Sequence, residues 1–341
     1  MKWWDGGRTI SIDGMVLHAI GKRRPLYRGD RRSTAQAILF GLATLRLLFE
    51  RFDVIDVDQI PFFPLFAARV VCTIRRKPLY ATWHEVWGKE YWREYMGSTG
   101  VLAYMIEKFA FRMPDEIISC SEHTTERLRR YGSQRLRVRT IPLGVDVDRV
   151  RTIPRSSTSS DVLFAGRLLS HKNVDVLINA IAIARARGRN LRCLVVGEGP
   201  ERNGLEELAE HLGVSGNISF TDFCADHDDV LSLMKATKVF VLPSEREGFG
   251  VVVLEANACG APVVTVRHPG NAAQRIVVDG QNGLVTELTP HALAEAILRC
   301  IDHPLPLDAS AVARRFEENG WSSTARRIAS VIAPSAGEYH S

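Results

Sequence analysis

The feature that most constrains this chain is a strict alternation. Short, almost continuously apolar β-rich runs are separated by longer helical stretches along the 341 residues. In the first half, strands are expected over 16–20, 54–57, 79–83, 116–120 and 138–141, with helices over 33–51, 64–75, 100–112 and 121–131. In the second half, strands are expected over 161–165, 192–196, 218–221, 239–242 and 262–266, with helices over 173–187, 201–212, 227–235, 251–259 and 291–302. Apolar strands separated by helices are strands of parallel sheets covered on their faces by those helices.

The length suits two such domains. Residues 145–160 are polar and broken, ending in Arg155-Ser156-Ser157-Thr158-Ser159-Ser160, and read as the linker. The expected fold is therefore α/β, with two doubly wound, Rossmann-like domains. Such domains bind ligands beyond the carboxyl ends of their strands, and a cleft between the two is the expected site.

Charge divides unevenly. Residues 1–155 hold 27 Lys and Arg against 17 Asp and Glu, a net +10, while the remainder carries −5. Clusters at Lys22-Arg23-Arg24, Arg31-Arg32, Arg75-Arg76-Lys77 and residues 127–139 suit an anionic membrane surface or an anionic substrate. Nucleic acid is not expected, because no recognition motif accompanies the charge. The six cysteines are scattered without a C-x-x-C pair, as in a reducing cytoplasm. No apolar run reaches the roughly 20 residues needed to cross a bilayer.

Four segments carry chemistry. Glu247-Gly248-Phe249-Gly250-Val251 follows an expected strand and opens a helix that contains Glu255. Glycines at a helix start let a phosphate approach free N–H groups and the positive end of the dipole. Two carboxylates flanking that nest can accept paired hydrogen bonds from vicinal hydroxyls of a ribose and a sugar. Gly166-Arg167-Leu168-Leu169-Ser170-His171-Lys172 follows the first strand of the second half, so Arg167 and Lys172 can neutralise a diphosphate. Gly197-Glu198-Gly199-Pro200 can bring backbone near a ligand, although Arg202 stands where a dinucleotide fingerprint needs its third glycine. His84 ends an expected strand, where it can orient an acceptor hydroxyl or take its proton.

Together these segments resemble the GT-B-fold retaining glycosyltransferases of glycosyltransferase family 4, the glycosyl transferases group 1. The resemblance rests on the E-x7-E element Glu247/Glu255, the G-R-L…K element Arg167/Lys172 and the H-E step at His84. Ile141-Pro142-Leu143-Gly144-Val145-Asp146 and Asp279-Gly280-Gln281-Asn282-Gly283-Leu284 also match. It implies that Arg167 and Lys172 hold the donor diphosphate and that Phe249 and Gly250 offer backbone N–H groups. Glu247 would contact the transferred sugar, Glu255 the ribose, and His84 the reacting sugar and acceptor. Gly166, Gly197 and Glu198 would complete the donor site.

The implied donor is a UDP- or GDP-linked sugar, and the implied acceptor a sugar, lipid-linked or polyprenol-linked molecule. No metal or cofactor is expected. The implied location is cytoplasmic or peripheral on the inner face of the cell membrane. The expected organisation is an acceptor-side domain over 1–143, a nucleotide-sugar domain over 156–315, and a helix over 316–341 that crosses back to the first domain.

Against the family pattern the chain begins late. Trp3-Trp4-Asp5-Gly6 reads as the end of a second strand, with the first strand–loop–helix unit missing. Gln274-Arg275 stands where relatives commonly carry an acid. The alternative is thus a catalytically silent nucleotide-sugar-binding or partner subunit. A second rival is a metal-dependent transferase that uses Asp56-Val57-Asp58 or Asp146-Val147-Asp148.

Overall fold

The computed structural model describes residues 9–12, 14–21, 27–28, 31–224, 226–305 and 320–332. The Trp3–Gly6 run and the cluster Lys22-Arg23-Arg24 lie outside these residues, as does much of the segment beyond residue 305. The chain divides into two compact units, Met1–Thr140 with Ala329–Ser341, and Ile141–Ile328.

The first unit opens with the hairpin β1 (Thr9–Ile12) and β2 (Met15–His18), turned by Gly14 at φ 78°, and the short antiparallel pair β3 (Tyr27–Arg28) and β4 (Arg31–Arg32). The strand expected over 16–20 therefore belongs to a hairpin, not to a parallel sheet. There follow α1 (Thr34–Thr44), a 3₁₀ turn (Leu45–Phe49), β5 (Ile55–Asp58), α2 (Phe62–Arg75), β6 (Leu79–Trp83), α3 (Gly88–Met96), α4 (Gly100–Ala110), β7 (Glu116–Ser119), α5 (Glu122–Tyr131) and β8 (Val138–Thr140). Strands β5, β6, β7 and β8 pair in parallel and in sequence order. Right-handed crossovers laid down in one direction put α2, α4 and α5 on the same face of that sheet. Leu65 and Ala68 of α2 meet Leu79, Ala81 and Trp83 of β6, and Phe111 and Leu128 complete a fully buried core.

The second unit contains α6 (Val147–Thr152), β9 (Ser160–Ala165), α7 (Val174–Ala186), β10 (Cys193–Val196), α8 (Arg202–His211), β11 (Ile218–Thr221), α9 (His227–Lys235), β12 (Thr237–Leu242), β13 (Arg246–Glu247), α10 (Val251–Ala258), β14 (Val263–Val266), β15 (Gly270–Asn271), β16 (Gly283–Thr286) and α11 (Pro290–Asp302). A last helix spans Trp321–Ile332. The residues read as linker are part of this unit. Asp146 caps α6 by accepting from the Arg149 N–H at 2.9 Å, and Val145, Val150 and Ile153 enter the core.

The main sheet is parallel in the order β11-β10-β9-β12-β14-β16. Every residue of β9, β10 and β14 is buried, as expected of strands covered on both faces. Numbered by their sequence order in this sheet, the strands run 3-2-1-4-5-6, the doubly wound Rossmann order. Its direction reverses between β9 and β12, and the crevice for a ligand opens there.

Among the described residues no helix is long and apolar enough to cross a membrane. All six cysteines are free thiols, and Cys72, Cys120, Cys193 and Cys300 are buried.

Candidate functional site

The reversal point brings together the two segments that follow β9 and β12. After β9 the chain passes Gly166 and Arg167 and makes a 3₁₀ turn over Ser170–Lys172. Asn173, at φ 50°, then starts α7. Its side-chain amide donates to Pro243 O at 3.2 Å, and the Glu245 N–H donates to His171 O at 3.1 Å. These bonds tie the loop after β9 to the loop after β12, and they set Lys172 Nζ 2.6 Å from Glu247 Oε1. Both side chains are largely buried, so the pair is weakly screened by solvent.

Two residues that sequence reasoning missed complete this cluster. His171 is buried, and Arg246 Nη2 lies 3.4 Å from its ring nitrogens. Burial first, then Arg246, Lys172 and Arg167, hold the His171 pKa down to about 3. His171 is thus an uncharged imidazole within reach of three cations. Arg167 is exposed in the same loop, five residues before Lys172, and contributes the smallest part of the positive field at His171. Lys172, Glu247, His171 and Arg246 therefore come together where the sheet leaves its crevice.

The glycines have specific reasons. Gly250 takes φ 90°, and a Cβ there would stand 2.4 Å from Ala273 Cβ. This packing starts α10 without a side-chain cap, leaving its first N–H groups for another acceptor. Phe249 is half-buried beside the core. The two-residue parallel pairing of β13 with β15 holds Glu247 against Asn271, whose Oδ1 accepts from the Ala273 N–H at 3.0 Å. Gln274, of the Gln274-Arg275 pair that departs from the expected family pattern, donates to His268 O at 2.6 Å and Asn271 O at 2.8 Å. These two bonds close the loop.

Gly197 takes φ 148°, and a Cβ there would lie 1.9 Å from Gly166 O. The Leu168 N–H donates to Glu198 O at 2.9 Å. The glycines of 197–199 thus serve loop-on-loop packing against residues 166–168.

Glu255 lies on α10 with its side chain 15% exposed, and His227 Nε2 sits 3.0 Å from its Oε1. That bond raises the His227 pKa above its ordinary value. The sequence reading had no signal for His227, since only the fold places the start of α9 beside α10.

His84 belongs to the first unit. Its Nε2 lies 2.8 Å from Asp58 Oδ1, and chiefly this bond pushes its pKa up to about 10. Most peptide groups after β6 are fixed by side chains. Gln59 Oε1 accepts from the N–H groups of His84 and Glu85, and Gln59 Nε2 donates to Glu85 O. Arg127 donates to Val86 O and Trp87 O. The buried Glu107 carboxylate accepts from Trp87 N, Gly88 N and Trp92 Nε1 at 2.8–3.0 Å. Such a loop holds its side chains in one geometry without further ordering.

The carboxylates of the two D-x-D sequences are engaged elsewhere. Asp58 binds His84, Asp56 accepts from Thr82, Asp146 caps α6, and Asp148 pairs with Arg151. Among the described residues no three His, Cys, Asp or Glu side chains converge as metal ligands.

Comparison with known proteins places these features in context. The family model described as glycosyl transferases group 1 matches residues 148–321, and the model described as glycosyltransferase family 4 matches residues 10–149. D-inositol 3-phosphate glycosyltransferase 2 of Catenulispora acidiphila is 36% identical over 244 residues, 64% of this chain. The match spans only 56% of that relative's own length.

Among solved structures, sucrose-phosphate synthase from Thermosynechococcus elongatus superposes with a TM-score of 0.79 at 20% identity, covering 96% of this chain and 85% of that one. Anabaena HepE, solved in complex with UDP and glucose, superposes with a TM-score of 0.71 at 21% identity, covering 89% and 83%. At such identities the likeness speaks for the shared GT-B fold of two Rossmann-like units.

Proposed function

The chain belongs to the glycosyl transferases group 1 family, and we propose that it moves a sugar from a nucleotide-sugar donor to a sugar or lipid-linked acceptor with retention of anomeric configuration. The observation that carries this reading is the Lys172–Glu247 contact at the reversal point of the second sheet, with Arg246 against His171, Arg167 in the same loop after β9, and the uncapped start of α10 following Glu247.

The chemistry to be supported is departure of a nucleoside diphosphate as the glycosidic bond ionises. Negative charge grows on the leaving phosphate, and fixed cations with a helix N-terminus oppose it without having to reorganise. Arg167 and Lys172 take the diphosphate, and Phe249 and Gly250 offer backbone N–H groups. Glu247 contacts the transferred sugar while keeping Lys172 oriented. Glu255 takes the ribose hydroxyls, with His227 steadying its other oxygen. Gly166, Gly197 and Glu198 shape the floor of the donor site through their packing. His84, held protonated by Asp58, acts as a hydrogen-bond donor to sugar oxygens rather than as a proton acceptor.

UDP or GDP is the leaving group. The Catenulispora relative is named for a phosphate-bearing acceptor, which suits the +10 first half of this chain. That charge also suits work at an anionic membrane surface.

The test is release of nucleoside diphosphate from UDP- and GDP-sugars by the full chain, with and without candidate acceptors. Acceptor-stimulated release, with an α-linked product from an α-linked donor, is expected. Tight nucleotide binding with no release from any donor would favour the silent-subunit alternative.

A further inference from the structure

The helices covering the first parallel sheet have an unusual outer surface. Helix α1 is apolar on every side, yet among its residues only Gly41 and Thr44 are buried, where it packs on α2. Leu42 on α1 is 59% exposed, and Phe49, in the turn that follows, is 87% exposed. On α2, Ile74 is 63% exposed. On α4, which packs on the other flank of α2, Leu102 is 66% exposed, with Met105 and Phe109 also open to solvent.

Carboxylates are missing from the same surface. Across the described residues of α1, the turn after it, α2 and α4, the one acid is Glu107, and it is buried against the Trp87–Gly88 peptides. Asp53 and Asp115 at the margin are paired with Lys77 and Arg69. Glu50 borders the face but is outnumbered by the exposed Arg46, Arg51, Arg75 and Arg76.

Soluble chains rarely leave contiguous apolar area of this kind uncovered. A protein partner would ordinarily be met by hydrogen-bonding side chains around an apolar centre. Along α1 and α2 the rim offers mostly guanidinium groups. Arg46 and Arg75 each donate once to a backbone carbonyl, and the remaining guanidinium N–H groups fit lipid phosphates. Exposed Glu90 and Glu94 of α3 border the α4 side. The apolar side chains fit the acyl boundary just beneath the phosphates.

We infer that the face formed by α1, the turn Leu45–Phe49, α2 and α4 is the surface on which this protein lies against a bilayer containing anionic lipid. This deepens the membrane-surface part of the reading above by naming the elements that make the contact. Peripheral contact needs no spanning helix, and each arginine near an anionic surface adds about five-fold to partitioning.

The experiment is co-sedimentation of the full chain with vesicles of phosphatidylcholine alone and of phosphatidylcholine with phosphatidylglycerol. Two variants are compared with wild type: Ile74→Glu with Leu102→Glu, and Arg46→Gln with Arg76→Gln. All four positions are exposed, and circular dichroism with UDP titration checks that each variant folds. Wild type is expected to pellet with anionic vesicles and far less with neutral ones. The glutamate pair should lower partitioning on both. The glutamine pair should lower it on anionic vesicles alone and blunt its salt dependence.

The inference is overturned if wild type does not pellet, or if both variants pellet as wild type does. It is also overturned if sedimentation velocity shows a dimer that the glutamate pair dissociates while vesicle binding stays unchanged. Sugar transfer to a water-soluble acceptor without vesicle binding would remove this surface and leave the transferase reading standing. Vesicle binding without nucleotide binding would do the reverse.

Discussion

Lys172 Nζ lies 2.6 Å from Glu247 Oε1, although 74 residues separate them in the chain, and their side chains are only 18% and 14% exposed. The contact exists because β9 and β12 are neighbours at the point where the sheet order reverses. It couples the cation proposed for the diphosphate to the carboxylate proposed for the sugar.

Removing one partner strands the other. Lys172→Ala leaves a largely buried carboxylate without its cation and should cost about 1–3 kcal/mol of stability. The fold should survive this, as it should survive Glu247→Ala and Arg167→Ala. Nucleoside diphosphate release should fall by about 10²–10³ for each variant. Thermal melts beside initial rates check both statements; rates near wild type in all three variants would remove the site assignment.

Gly250→Ala should damage both stability and nucleotide binding. The left-handed backbone costs a residue with a Cβ about 1–2 kcal/mol, and the collision with Ala273 adds about 1–3 kcal/mol. Chemical denaturation measures the loss. Adding Ala273→Gly should recover the packing part and leave the backbone part, so the double variant should fall between the two.

The state of His84 is set by Asp58. Its pKa, raised from 6.5 to about 10, means that the pair's contribution to stability is fully present below about pH 6.5 and is lost as pH rises toward 10. Both groups are substantially exposed, so the effect on stability is small, but the titration itself is measurable. Asp58→Asn should bring the His84 imidazole back toward 6.5 in an NMR titration. An unchanged midpoint would show that Asp58 is not its cause.

His227 gives a second pH dependence of the same sign. Its pKa is raised by Glu255, so the bond stabilises the fold below about pH 6.5 and weakens as pH rises through the folded value. His227→Gln can still donate to Glu255 but does not titrate. The difference in melting temperature between wild type and His227→Gln should therefore vary with pH. A constant offset from pH 5 to 9 would contradict the coupling.

Much of this was legible in the sequence, for physical reasons. Buried strands announce themselves by apolar content, and β6 (Leu79–Trp83) and α9 (His227–Lys235) fall where periodicity and flanking residues put them. Elements whose apolar residues are few were missed. Helix α3 begins at Gly88 and mixes four charged residues with aromatic ones and no aliphatic stripe, while β16 is four residues after a glycine turn. Val145, Val150 and Ile153 are dispersed among arginines and aspartates, so a packed segment read as a linker.

At the candidate site, the spacing of Glu247 and Glu255 and the loop cations were visible. The neighbours that tune them were not. Arg246 beside His171, and His227 beside Glu255, meet only because distant loops and helices are brought together by the sheet. The 197–199 glycines were visible as a turn, but their reason, the approach of Gly197 to Gly166 O, arises only where β9 and β10 pair.

The central claim is that Arg167 and Lys172 grip the diphosphate of an activated sugar. Isothermal titration of the full chain with UDP and with GDP, in the presence of chelator, tests it most directly. Wild type should bind one of them, and the Arg167→Ala/Lys172→Ala double variant should bind it at least about ten-fold more weakly with its circular dichroism unchanged. Equal affinity of wild type and double variant, or no binding of either nucleotide by wild type, would contradict the account.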